Sequence, residues 1–311
     1  MKCTGLVLSI LVLLAPGCGG GDSPGVDGGD GDGDGDGDGD GDADTGTWTT
    51  LIERDWSLPP NIEDYKCMRV TIPEDLYVSA FRTLGADGEH HTVLSIDNSG
   101  DADGPFDCDV GTLADDMLFA SGIGTSTYAF PPDVAIRIPA GTKVLLNLHL
   151  YSAEVAIDGH SGIQIQTVDP AGVTEAEFIF GGTFNVYLPA GQETTLEGEC
   201  VFEQQATVVA LWPHQHRLGT DHKVTYQASG SSTETALHDA AYSFEEQLFY
   251  EIDPLVVDAG DSIHTYCTWF NNTTSDVYIG ESSDSEMCFT GFYRYPKFAT
   301  EKFCAQGINP F

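Results

Sequence analysis

The chain has 311 residues, 41% of them hydrophobic, enough for two modest domains with cores of their own. Twelve basic residues stand against 49 acidic ones, a net charge of −37. Trp48–Phe311 alone holds 11 bases and 39 acids, a balance of −28, so the folded part is acidic in its own right; this excludes nucleic acid, which needs basic surface, as a partner.

The first residues, MKCTGLVLSILVLLAPGC, place one cation, Lys2, before an apolar run, Leu6–Leu14. A run this short reads as a secretory signal over residues 1–17 rather than a transmembrane helix. Its end, LAPGC followed by glycines, resembles a bacterial lipoprotein signal with Cys18 as the lipidated residue, although Ala15 and Pro16 depart from the usual pattern. The chain is therefore expected to be exported and anchored to a membrane or cell surface by lipid alone, with plain secretion as the alternative. Residues 18–47 then continue as DGGDGDGDGDGDGDGDAD. Strict Gly-Asp alternation has nothing to bury and repels itself, so this segment is expected to be a disordered tether. A calcium loop of the helix–loop–helix kind needs a glutamate at its twelfth position, and no register supplies one.

From Trp48 onward the pattern is that of strands. MRVTIP, LYVSAF, TVLSI, VAIRI, KVLLNLHLY and GIQIQTV are short apolar or alternating runs punctuated by Gly, Pro and Asp. ATVVALW, HKVTYQA, EEQLFYEI and SIHTYCTWF continue the series. One stretch, TLADDMLFASG at 112–122, reads as a short helix. Turns are expected at Pro139–Gly141, Pro189–Gly191 and Asp258–Asp261. This spacing predicts an all-β fold of two tandem antiparallel β-sandwich, jelly-roll-like domains, over 48–190 and 191–311.

Of eight cysteines, Cys3 leaves with the signal and Cys18 takes lipid, leaving Cys67, Cys108, Cys200, Cys267, Cys288 and Cys304. Six cysteines in an exported chain suggest three disulfides, and six allow 15 pairings. If bridges stay within domains, Cys67 pairs with Cys108. No Cys-x-x-Cys occurs, which argues against a zinc or redox motif.

Histidines are the informative residues. EHHTVLSI holds His90 and His91, LLNLHLYS holds His149, and LWPHQHRLG holds His214 and His216. Residues i and i+2 of a strand share a face, so His214 and His216 converge. His90 and His91 cannot both face one side of a regular strand; at least one must sit at a strand end or a bulge, or use a different ring nitrogen. Taken singly, each is more often a packed or hydrogen-bonded side chain than a ligand, and Met287 beside a cysteine reads as core packing. Taken together they offer three imidazoles in the first domain and two imidazoles with a thioether in the second. That soft set suits copper, Cu(I) above all.

The motifs YKCM, HHTVL, VLLNLHLY followed by HSGIQI, HQHRLG and GESSDSEMCFTGFYRYP, in this order from about Tyr65 to Pro296, resemble those of the copper type II ascorbate-dependent monooxygenases, the group of peptidylglycine α-hydroxylating and dopamine β-monooxygenases. The resemblance implies one copper per β-sandwich, two per chain. His90, His91 and His149 would hold the electron-supplying copper. His214, His216 and Met287 would hold the copper that binds oxygen and cleaves the C–H bond, making these three the catalytic set. Ascorbate or a similar one-electron reductant, O2 and a small-molecule substrate would be the partners. The resemblance also implies the disulfides Cys67–Cys108, Cys200–Cys304 and Cys267–Cys288, the last pinning the strand that presents Met287.

Peptide-amidating members carry an arginine two residues before the first His of His-x-His, and Asn and Tyr two and four residues after the Met; here those positions are Trp212, Phe289 and Gly291. The peptide-carboxylate clamp is missing, which points away from amidation. Trp212 and Phe289 are candidate contacts for an apolar or aromatic substrate, with core packing as the alternative. His160 stands where some relatives have a disulfide cysteine and reads as structural; His222, His238 and His264 receive no role. Two other functions compete with the enzyme: a copper-binding or copper-storage lipoprotein without turnover, and a metal-free β-sandwich adhesion or surface protein, the latter disfavoured by the six-ligand set.

Overall fold

The computed structural model describes residues 46–109, 112, 116–122, 127–244, 246–280, 282–298 and 303–307. The expected signal, Cys18 and most of the Gly-Asp tether lie outside these residues. Every regular element described is a β-strand. The expected short helix at 112–122 is corrected: Asp116–Gly122 is a strand paired antiparallel with Glu89–Ile96. Its apolar run Leu118–Ala120 is buried, and sheet pairing on a strand covered by core overrides a weak local helical preference.

Two sheets make the first half. One orders Thr49–Leu58, Ile157–Thr167, Leu76–Leu84, Val134–Ile138 and Thr174–Glu175, with Thr127–Ala129 beside Leu76–Leu84. The other orders Gly104–Cys108, Glu63–Thr71, Lys143–Tyr151, Glu89–Ile96 and Asp116–Gly122. Lys143–Tyr151 is central in its sheet and buried along Val144–Leu150, which explains a nearly continuous apolar sequence in place of alternation.

The second half repeats the plan. One sheet orders Tyr250–Val257, Ala206–His214, Cys288–Tyr295, Glu177–Thr183 and Phe303–Gln306; a second orders Glu193–Val201, Ser262–Phe270, Gly219–Gln227 and Glu234–Ala241. Tyr187–Leu188 and Val277–Tyr278 form a small separate ladder. Among the described residues the strand pairings are antiparallel except Thr174–Glu175 with Val134–Ala135, and Glu177–Thr183 with Phe303–Gln306; an isolated bridge between Ile279 and Glu286 is parallel as well. The three expected turns each place a glycine at positive φ, Gly141, Gly191 and Gly260, a conformation other residues reach only with strain.

Strand pairing moves the expected division at 190/191 upstream. Thr174–Glu175 completes a sheet of the first half, and Glu177–Thr183, two residues on, is an interior strand of the second. The turn at Pro189–Gly191 lies within the second half. Residues from Gly46 onward cluster as one unit, because the two halves share a core. Tyr293 stacks on Tyr128 at 4.6 Å and on Phe249 at 5.3 Å, and Phe249 stacks on Phe119 at 5.6 Å. Tyr293 also donates its hydroxyl to Leu118 O at 2.8 Å in a buried position. The disulfides Cys67–Cys108, Cys200–Cys304 and Cys267–Cys288 are all formed.

Candidate metal centre

His149 stands opposite Tyr65 on one neighbouring strand and opposite His91 on the other. The register slips between Glu89 and His91, so His90 is the extra residue of a bulge. A bulge re-aims one side chain without ending the ladder, and it lets two adjacent histidines reach the same place. One ring nitrogen from each of His90, His91 and His149 lies within 4.8 Å of the others. The Nδ1 atoms of His90 and His91 are 3.1 Å apart, and those of His91 and His149 are 3.2 Å apart. Tyr65 stacks on His149 with ring centroids at 4.6 Å and planes at 6°. Glu63 Oε1 accepts from His149 Nε2 at 2.7 Å, which fixes the tautomer and leaves the His149 Nδ1 lone pair facing the other two rings. Burial pushes His91 well below the usual imidazole range and His149 below it, with the neighbouring histidines adding to both shifts. Neutral imidazoles are the form that binds a metal.

The second set is built around the end of a strand. His214 is the last residue of Ala206–His214, and His216 lies just beyond it. Their rings nevertheless converge, with centroids 5.3 Å apart and planes at 86°. His216 Nδ1 donates to Ser285 O at 2.9 Å, and His214 Nδ1 donates to Gln247 Oε1 at 2.7 Å. Both rings therefore present Nε2 lone pairs. Burial pushes His214 down to about 3 and lowers His216. The backbone that carries this pair is held by Glu286. Its carboxylate accepts from His216 N at 2.8 Å, Leu218 N at 2.7 Å and Trp269 Nε1 at 2.8 Å. Burial still raises it to about 7, those donors working the other way. Met287 follows directly, buried, and Cys288 beside it is tied to Cys267.

The two sets meet. A single cavity of about 100 Å³ is lined by His91 and His149 from the first half and by His214, His216 and Met287 from the second, with Gln247 among its walls. Phe244 and residues 246–249 of the second half wedge between them. Gln247 O accepts from Gly122 N at 3.2 Å and from Trp212 Nε1 at 3.3 Å, one from each half. Arg217, next to His216, reaches back to Glu63 at 2.9 Å and 3.1 Å.

Trp212 is buried and stacks on His214 at 4.9 Å and 14°, so it is a wall of the cavity and a support for a histidine at once. Phe289 is not among the lining residues; it packs with Phe184 and Met287. His160 is half-exposed and bonded to Asp55 and Glu53. His222 is wholly buried between Gln215 and Thr290, and His264 is bonded to Glu197. His238 packs against Tyr250 with ring centroids 4.3 Å apart. None of these four lines the cavity. Sequence reasoning missed Glu63, Phe244, Gln247 and Glu286. Only Glu286 carried a signal, standing next to a candidate ligand.

The donor set fits a soft metal. The rings lining the cavity are held neutral by burial, three of them have hydrogen bonds that leave a nitrogen lone pair pointing inward, and a thioether completes the second group. Residues 170–310 match the family described as copper type II ascorbate-dependent monooxygenase, C-terminal domain. Among solved structures, the major capsid protein P2 of bacteriophage PM2 aligns at 9% identity over 72% of this chain and all of its own, with a TM-score of 0.28. N-glycanase F aligns at 9% identity over 78% of this chain and 95% of its own, with a TM-score of 0.30. Likenesses that remote carry no argument about function. The family match spans the part of the chain that supplies His214, His216 and Met287.

Proposed function

We propose that the protein is a copper monooxygenase that hydroxylates a C–H bond of a small molecule, converting C–H, O2, two electrons and two protons to C–OH and water. His90, His91 and His149 would hold one copper ion, and His214, His216 and Met287 a second. The observation that carries this reading is the single cavity onto which five of these six side chains open, from both halves of the molecule. Bound copper supplies one-electron chemistry with O2 and with ascorbate or a similar reductant.

The chain's own residues prepare that chemistry. Glu63, Ser285 and Gln247 orient three of the rings through their outer nitrogens, and such partners are typically worth about 10- to 100-fold in metal affinity. Glu286 and the Cys267–Cys288 bridge fix the backbone that carries His216 and Met287. Trp212 and Phe244 cover the cavity with aromatic surface that excludes water. Trp212 stands where peptide-amidating relatives carry an arginine, which favours an apolar substrate over a peptide carboxylate; Phe289 is a packing residue behind Met287. Three disulfides suit an oxidising, extracytoplasmic setting, in keeping with export and anchoring through Cys18.

The test is copper stoichiometry together with ascorbate-dependent oxygen uptake across a panel of small molecules. Two coppers per chain, with uptake lost in Met287→Ala, is the expected result. Zero or one copper would sink the two-site assignment, and two coppers with no uptake for any substrate would move the protein to copper binding without turnover.

A further inference from the structure

The imidazoles of the two halves are joined by one side chain. Gln247 is 1% exposed, and its amide lies between His91 and His214. Gln247 Nε2 is 2.6 Å from His91 Nε2, and Gln247 Oε1 is 2.7 Å from His214 Nδ1. The orientation of the amide is fixed independently, because Nε2 also donates to Phe244 O at 3.1 Å. An amide nitrogen only donates. His91 Nε2 must therefore accept from it, and the His91 proton sits on Nδ1. That proton points at His149 Nδ1, 3.2 Å away, which is itself a bare acceptor because His149 Nε2 donates to Glu63.

The result is one directional chain of hydrogen bonds. His214 Nδ1–H donates to Gln247, Gln247 to His91, His91 to His149, and His149 to Glu63. Arg217, next to His216, donates to Glu63 and closes the circuit between the halves. The two links at His91 are satisfied only while His91 keeps its proton on Nδ1.

A metal held by the facing Nδ1 atoms of the triad is incompatible with that condition. A neutral imidazole bound through Nδ1 carries its proton on Nε2. His91 Nε2–H would then face the Gln247 NH2 group, donor against donor, at 2.6 Å. Phe244 O, 3.3 Å from His91 Nε2, offers the proton another acceptor, whereas the amide has to leave. His214, by contrast, already has the tautomer that presents Nε2 to a metal.

We propose that Gln247 is a positioning residue that couples the two candidate sites: its amide ties His91 to His214 while the His91 proton is on Nδ1, and loading the histidine triad through its Nδ1 atoms drives the amide off His91. This rests on the copper reading given above. It makes the amide a latch between the two sets of histidines, and it makes occupancy of the triad the event that frees the His214 side of the cavity to rearrange.

The experiment uses the full chain, free of metal and then titrated anaerobically with Cu(I), which is diamagnetic, against a chromophoric Cu(I) chelator. Long-range nitrogen–proton NMR of the histidines reads both tautomers and site occupancy. The metal-free protein is expected to show His91 and His214 protonated on Nδ1 and His149 on Nε2. Gln247→Leu, which removes the amide without adding charge, is expected to raise triad affinity for Cu(I) about tenfold, because the amide's hydrogen bond to His91 no longer has to be broken on loading. Gln247→Glu, which accepts from both rings, is expected to raise it further. A side chain that merely supports the fold would give equal or weaker binding in Gln247→Leu. His91 protonated on Nε2 in the metal-free protein, or unchanged triad affinity in both variants, would overturn the coupling while two bound Cu(I) ions left the copper reading standing. Failure of the triad to take Cu(I) at all, with the tautomers as expected, would overturn the copper reading and the coupling with it.

Discussion

A single methyl group added at position 122 tests the contact between the halves. Gly122 ends the strand Asp116–Gly122 and donates its N–H to Gln247 O. A Cβ there would meet Gln247 N at 2.8 Å, Gln247 Cβ at 3.0 Å and Gln247 Cα at 3.2 Å, the first about 0.6 Å short of ordinary contact at 3.4 Å. No flexible side-chain tip can yield, since all three atoms lie at the root of one residue. That residue is held by Gly122 N, Trp212 Nε1 and the two histidines. Overpacking of this kind costs about 1–3 kcal/mol. Losing the Gly122–Gln247 hydrogen bond adds about 1 kcal/mol, and the smaller unfolded-state freedom of alanine returns about 0.7 kcal/mol. The net is about 2 kcal/mol, or roughly 4–8 °C in Tm for a unit of this size. Thermal unfolding of the metal-free protein, followed by tryptophan fluorescence, reads the shift. Gly85→Ala is the control, because its Cβ would meet only the Glu89 carboxylate at 3.9 Å, and it is expected to raise Tm by about 1–3 °C through the same unfolded-state effect. If Gly122→Ala melts with the wild type, residue 247 is not wedged between the halves as described.

Other outcomes follow from the same packing. Tyr293→Phe removes a buried hydroxyl that donates to Leu118 O across the halves; a loss of about 1–2 kcal/mol in urea unfolding is expected, and no loss would mean the hydroxyl is redundant. Replacing Cys267 and Cys288 by serine opens a loop spanning 21 residues, with an expected loss of about 3 kcal/mol from the chain-entropy relation and weaker Cu(I) binding at Met287; intact affinity would refute the pinning role. Acid should destabilise the metal-free protein. An unfolded histidine takes its proton near pH 6.5, whereas His214 stays neutral down to about 3, so the unfolded state binds more protons as pH falls and stability drops through that window. His214 alone accounts for about 2 kcal/mol by pH 5, and the lowered His91, His149, His216 and His222 act in the same sense. Glu286, raised to about 7, binds its proton in the folded state first and gains about 3 kcal/mol of stability as pH falls from 7 to 4.5. Glu286→Gln should therefore steepen the acid loss, and unfolding midpoints equal at pH 7.5 and pH 5 in both proteins would contradict these burials.

Strands and turns were legible because alternation and glycine placement are local. KVLLNLHLY announces a strand covered on both faces, and Gly141, Gly191 and Gly260 take the positive φ their turns need. TLADDMLFASG misled because a strand at a sheet edge, with its apolar residues under the other half, has no local signature distinguishing it from a short helix. The conflict between adjacent His90 and His91 could be posed from side-chain period alone, and a bulge is the structural answer. The point where the chain passes from one half to the other was not legible, because it lies within extended chain and not at a Pro-Gly turn. Gln247 and Glu63 were invisible for a different reason. A glutamine at the head of an apolar run and a glutamate at a strand start are commonplace, and only the meeting of two halves far apart in sequence gives them a task.

The crossing at Ala176 has a practical side. Ala176 donates its N–H to Ala135 O in the first half, and the next residue begins the strand that lies between Cys288–Tyr295 and Phe303–Gln306 in the second. No spacer separates the two β-units, so they are not beads that can be cut apart at a loop. A fragment beginning at Gly191 would lack an interior strand and leave two raw sheet edges open to intermolecular pairing, whereas one beginning ahead of Glu177 would keep the second sheet whole. Dissection of this protein into halves, for metal-binding or folding work, has to break the chain inside a run of extended backbone, and the position of that break decides whether the product is a domain or an aggregate.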